Sequence, residues 1–206
     1  MIKNSPLSHF FISFAVMKVN WKPGTMLYPL PAAIVTCGTP EESNMLTAAW
    51  TGTVCTNPPM LYVSIRPERY SYDMIRRTME MTVNLTTAAM ARPTDLAGVR
   101  SGRDCDKWEL TGLTRAPGSA NACPIVAESP VSIECRVKEI THLGSHDMFL
   151  ADVVNVIIDD AYLDPVTGAF DLAASGIMAY CHGGYYALGE KLGKFGFSVQ
   201  KTKNNK

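Results

Sequence analysis

The feature that most constrains this chain is a succession of short apolar runs, each closed by a turn signal, with no long run of helical period between them. The clearest is Val131–Ile140 (VSIECRVKEI), which alternates apolar and polar residues as a half-buried antiparallel strand does. It is followed by the turn His142–Ser145 and by the apolar stretch Asp147–Ile158, so these two strands are expected to pair. Upstream, Ala32–Cys37 (AAIVTC) lies between Pro31 and Gly38 and reads as a buried strand. Further strands are expected at Met45–Thr51, Met60–Ile65 and Met81–Leu85, the first two separated by Thr56-Asn57-Pro58-Pro59. Helices are expected only as insertions, at Ser71–Arg77 with Ser71 as N-cap and at Thr94–Val99. The rest of Thr86–Asn121 reads as loop, Leu163–Asp171 as a loop or hairpin, and a Gly-rich aromatic stretch precedes a Lys-rich tail. This pattern implies a mainly β barrel or sandwich with short helical insertions, and no repeat or linker divides it.

At 206 residues with 47% hydrophobic content, the chain can bury a core of ordinary size. Lys+Arg and Asp+Glu balance at 19 each, so no global field attracts nucleic acid or an anionic membrane, and neither is expected as a partner. Any anion site must be local. The six cysteines, at 37, 55, 105, 123, 135 and 181, form no C-x-x-C pair and no zinc-ligand spacing. They are expected to be reduced thiols of a cytoplasmic protein, with no metal site. Met1–Val16 contains a short apolar run, Phe10–Val16, well below the roughly 20 residues that span a bilayer. It is expected to be a disordered or non-native extension ahead of a native start at Met17, with an export signal as the alternative. The expected organisation is therefore an extension over 1–16, one domain over 17–201 and a polar tail over 202–206.

Two segments carry chemistry. In Ser64-Ile65-Arg66-Pro67-Glu68-Arg69-Tyr70-Ser71 a strand runs into a helix start, bringing two arginines and a serine beside helix N–H groups. Such an arrangement suits a phosphate, because the helix end supplies oriented donors and each guanidinium supplies paired ones. A plain N-cap with two surface arginines explains the same residues. No Walker or dinucleotide glycine motif is present. In Asn44–Gly52 the small residues Ala48 and Ala49 beside Trp50 would let a flat ring approach a strand, with Asn44 and Thr47 at its edge; simple core packing explains these equally.

Taken in order, N-x-x-T-A-A-W-T-G-T-V-C-T-N-P-P, S-I-R-P-E-R-Y-S, V-N-L, D-K-W and G-S-H-D-M-F resemble the flavin reductase-like, FMN-binding split-barrel family, with its flavoredoxins, from about Trp21 to Lys201. The resemblance implies a Greek-key split β-barrel and FMN as cofactor. It implies that Asn44, Thr47, Ala49, Trp50, Thr51 and Ser64 border the isoalloxazine and ribityl chain, and that Arg66, Arg69 and Ser71 hold the phosphate. It further places Lys107 and His146 near the flavin as tuning groups, since a cation stabilises the anionic reduced ring, and sets Tyr180 at its border. Cys55, within the motif, shows neither a partner thiol nor a cause for a depressed pKa and is read as packing. The expected activity is NAD(P)H-dependent flavin reduction by a homodimer. A flavoredoxin-type carrier reduced by a redox protein partner is the alternative, and a binding-only relative of the pyridoxamine oxidases is a third.

Overall fold

A computed structural model describes residues 17–199. The expected extension and tail, and the last two positions of the expected domain, lie outside the described residues. The strands are β1 (Leu30–Pro31), β2 (Ala33–Gly38), β3 (Ser43–Ala48), β4 (Thr51–Thr56), β5 (Pro59–Ile65), β6 (Glu80–Leu85), β7 (Arg115–Ala116), β8 (Ile125–Val126), β9 (Val131–His142), β10 (Asp147–Ile158), β11 (Met178–Cys181) and β12 (Gly184–Ala187). The α-helices are α1 (Tyr70–Thr78), α2 (Ala91–Val99) and α3 (Lys107–Thr111).

Seven strands form one antiparallel sheet in the order β3-β2-β6-β9-β10-β5-β4. Its two edges, β3 and β4, are consecutive in the chain with only Ala49 and Trp50 between them. Three Cα steps reach at most about 11 Å, so the sheet must curl until its edges meet. The result is a barrel split at Ala49–Trp50. Register shifts in β10 against β9, at Leu150/Ala151 and Val153/Asn155, and in β4 against β5, at Thr53/Cys55, supply the extra twist that closure needs. The expected single strand Met45–Thr51 is thus two strands. The chain bends at Ala49–Trp50, where Thr51 N donates to Ala49 O at 3.0 Å and Ser64 N to Trp50 O at 2.8 Å.

Alternation along the strands sorts the core into two layers. From β2, Ala33, Val35 and Cys37 point into the barrel with Leu46, Val63, Ile65, Met81, Cys135 and Phe149. Ile34 points out and packs with Met45, Met90, Ala97, Trp108, Leu113 and Val126 beneath α2 and α3. This explains why all of β2 is buried, as its unbroken apolar run suggested. Helix α3 was expected to be loop, because one five-residue turn is too short to show a period. Asp106 starts it, its carboxylate accepting from Trp108 N at 2.7 Å. The β11–β12 hairpin, also unexpected, turns at His182 (φ 46°) and Gly183 (φ 91°) and pairs with β1. All six cysteines are free, but only Cys37, Cys123 and Cys135 are core thiols; Cys55, Cys105 and Cys181 are half-buried.

Candidate functional site

The cleft at the barrel split holds two adjoining cavities. The first, about 380 Å³, is walled by Ala48, Ala49 and Trp50 from the split, Ser64 and Ile65 from β5, and Thr47. Asp95, Gly98 and Val99 of α2 face it, and His146, Tyr180, Gly183 and Tyr185 complete it. The second, about 450 Å³, takes Asn44 of β3, Tyr70 and Ser71 of α1, Glu68, Arg100, Ser101, Gly102 and Lys107. Leu46, Arg66, Arg69 and Val99 line both, so the two run together beneath the arginine loop.

Local chemistry fixes each wall. Trp50 packs on the His146 ring at a centroid distance of 4.3 Å, which holds the indole across the split. Burial, with help from the Arg66 charge, moves the His146 pKa below the ordinary histidine value, so the ring is neutral at neutral pH. The Thr47 hydroxyl donates to the Thr94 carbonyl and so pins α2 against β3. Tyr185 donates to Asp95 at 3.3 Å, linking the hairpin to α2, and burial followed by the Asp95 charge pushes its phenol up to about 12.

In the second cavity Asn44 Nδ2 donates to Ser71 Oγ at 2.7 Å. Arg69 Nη1 donates to Gly98 O at 2.7 Å and Arg103 Nη1 to Glu68 O at 2.9 Å, so the two loops that flank the cavity are tied together. Gly102 is required by close approach: a Cβ there would lie 2.5 Å from Asn44 Oδ1 and 2.6 Å from the Tyr70 ring. Lys107 is buried, with Nζ donating to Met45 O at 2.9 Å and Ala97 O at 2.7 Å. An ammonium has three N–H donors, so one is left over at the cavity. Burial first, then the neighbouring Arg69 charge, pulls Lys107 down to about 8.

All the expected site residues except Thr51 line one cavity or the other. Ser71 is not the N-cap of α1. The helix begins at Tyr70, Arg69 holds the cap position without a side-chain bond, and Ser71 lies buried in the first turn with its hydroxyl engaged by Asn44. Asn44 and Lys107 line the cationic cavity rather than the Trp50–His146 one, because β3 carries Asn44 away from the split and α3 approaches from that end. Thr51 lines neither cavity, since its hydroxyl turns back to donate to Tyr62 O at 2.6 Å. Among the residues that sequence reasoning missed are Asp95, Gly98, Val99, Arg100–Gly102, Gly183 and Tyr185. They stand on α2, its exit loop and the unexpected hairpin, where the segment's low apolar periodicity left no strong signal beyond its glycines.

A seven-stranded sheet closed at a two-residue split, with a cleft at that split, defines a split-barrel domain. The chain belongs to the family of flavin reductase-like domains, whose model matches residues 25–189. Flavoredoxin of Desulfovibrio vulgaris (Miyazaki F) superposes with a TM-score of 0.82 at 30% identity, covering 89% of this chain and 100% of its own. A split-barrel-domain protein of Shewanella frigidimarina shares the fold at TM-score 0.72 and 24% identity, over 81% of this chain and 85% of that one. Among sequence relatives, an uncharacterized protein of Archaeoglobus fulgidus is 30% identical over 138 residues, 67% of this chain and 77% of that protein. The FMN reductase (NADH) RutF of Enterobacter cloacae is 24% identical over 128 residues, 60% of this chain and 73% of that one.

Proposed function

We propose that the chain is an FMN-binding oxidoreductase that passes electrons through the flavin, reduced by NADH or NADPH. The observation that carries this reading is the pair of joined cavities: one walled by Ala48, Ala49, Trp50 and His146 at the split, the other rich in cations at the start of α1. The donor set fits a phosphate monoester. Among the described residues neither Arg66 nor Arg69 is in an ion pair, and Lys107 keeps one donor beyond its two carbonyls. Arg66, Arg69, Lys107 and the α1 amides would hold the phosphate, with Asn44 and Ser71 fixing the wall behind it. Trp50, Ala49 and Ser64 would bound the ring, and neutral His146 would offer it a hydrogen bond or border the donor. Tyr180 would stand opposite. FMN, when bound, supplies hydride acceptance and electron release; the protein supplies position and charge.

The reductase reading draws on the FMN reductase relatives, whereas the flavoredoxin likeness favours a carrier reduced by a partner protein. Anaerobic stopped-flow mixing of the FMN-loaded protein with NADH and NADPH decides between them. Rapid bleaching of the flavin absorption is expected; bleaching only with a reduced protein donor would establish the carrier instead. A protein that takes up no FMN on titration would overturn both.

A further inference from the structure

A third cavity, about 560 Å³, adjoins the first at Trp50 and Ser64. We propose that it is a binding site for an uncharged, ring-bearing small molecule, seated next to the flavin cavity at their shared residues Trp50 and Ser64. That placement beside the cofactor rests on the FMN reading above; the site itself does not. Its volume falls within the range of roughly 300–1,000 Å³ usual for small-ligand sites.

The lining selects the ligand. Half-buried Tyr28, Leu30, Trp50 and Tyr62 line it together with exposed Met26 and Leu27, so three aromatic rings border one space. Flat rings gain most from such walls, through offset or edge contacts in addition to area burial. No residue lining this cavity is charged, whereas Arg66, Glu68, Arg69, Asp95, Arg100 and Lys107 line the other two. An anion entering here would lose hydration with no counter-charge to replace it, which excludes the diphosphate of a nucleotide. Thr25, Ser64 and the two tyrosines bear hydroxyls suited to a carbonyl or hydroxyl on the ligand.

The third cavity also shares walls with the first. Trp50 and Ser64 line both, so an occupant of one touches the side chains that bound the other. The rim is open: Leu27 is 83% and Met26 60% exposed, so entry needs no movement of the barrel.

The test uses FMN-loaded protein, with flavin content measured first from its visible spectrum. Duroquinone is the neutral probe and benzoate the anionic one. Protein and quinone are both in the oxidised state, so only binding is observed. Equilibrium dialysis should show one saturable duroquinone site and none for benzoate, with a change in the flavin difference spectrum on saturation. Leu27→Asp, at an exposed position, should weaken duroquinone about ten-fold or more while FMN affinity holds, because it places a charge at the rim. Met26→Asp should do the same and guards against misfolding of one variant. No saturable duroquinone binding to flavin-replete protein, or equal binding by both variants, would overturn the proposal. A protein that never acquires flavin would instead overturn the FMN reading.

Discussion

Arg69 sits at the junction of the two cavities, and its guanidinium is half committed, with Nη1 donating to Gly98 O. If its remaining donors hold a phosphate, Arg69→Ala should weaken FMN binding by about 1.5–3 kcal/mol, the worth of hydrogen bonds to a charged group. Isothermal titration measures this, and a thermal melt of the FMN-free variant separates it from loss of the Gly98 tether. Unchanged affinity would show that the phosphate lies elsewhere. Lys107 makes a sharper prediction through pH. Its pKa of about 8 means that the ammonium is charged below that value and neutral above it. FMN affinity should therefore fall as pH rises through about 8, and Lys107→Met should lower the affinity and flatten that dependence. Stability runs the other way. The folded-state pKa lies below the unfolded one, so the folded protein binds fewer protons between them and stability rises with pH from about 8 towards the ordinary lysine value. An affinity indifferent to pH over this range would remove Lys107 from the anion site.

Strand β9 shows what pattern reading reaches and where it ends. Its alternation places Cys135 and Val137 in the barrel, as expected. The same alternation should leave Glu134 in solvent, yet Glu134 is fully buried. The loop over residues 119–121 folds across that face: Ser119, Ala120 and Asn121 donate backbone N–H groups to Glu134 Oε1, and Asn155 Nδ2 donates to Oε2 at 2.7 Å. Burial opposes ionisation of this carboxyl, but these donors outweigh it and hold its pKa below the ordinary glutamate range. Glu134→Ala strands several buried donors, at about 1–3 kcal/mol for each left unsatisfied, so a loss of about 3 kcal/mol is expected in urea unfolding. Because the folded pKa is depressed, the contribution of Glu134 is present above the unfolded value and fades as pH falls through the folded one. A loss no larger than that of an exposed Glu→Ala change would mean that water replaces the carboxylate. Nothing local in VSIECRVKEI reveals the covering loop, since its donors lie more than ten residues upstream.

At the scale of the molecule, the barrel leaves much apolar surface unburied. Trp21 is exposed at one end of the described chain, and Leu192, Phe195, Phe197 and Val199 at the other. Large apolar side chains exposed in this number suit burial against a partner, and we propose that a second copy of the chain covers those of the 192–199 segment. Light scattering should give twice the chain mass, and Phe195→Ser combined with Phe197→Ser should shift the protein towards monomer with its far-ultraviolet circular dichroism intact. A wild-type monomer at micromolar concentration would exclude this partner.

The local content of this protein is written in its sequence. Short β-branched runs between turn residues specify strands, because a period of two on a pleated backbone needs only neighbouring residues. Ser64–Ser71 likewise announces a strand running into a helix with arginines at the junction, a purely local arrangement. The tertiary structure decided how these parts meet. That Met45–Thr51 breaks at Ala49–Trp50 follows from closure of a seven-stranded sheet whose edge strands are chain neighbours, and closure depends on every strand between them. The positions of Lys107 and Asp95 depend on α2 and α3 docking over Ile34 and Met45, which the short periods of those helices do not encode by themselves. Sequence therefore determined which groups the cleft has to work with, and packing of distant segments decided which cavity each one lines.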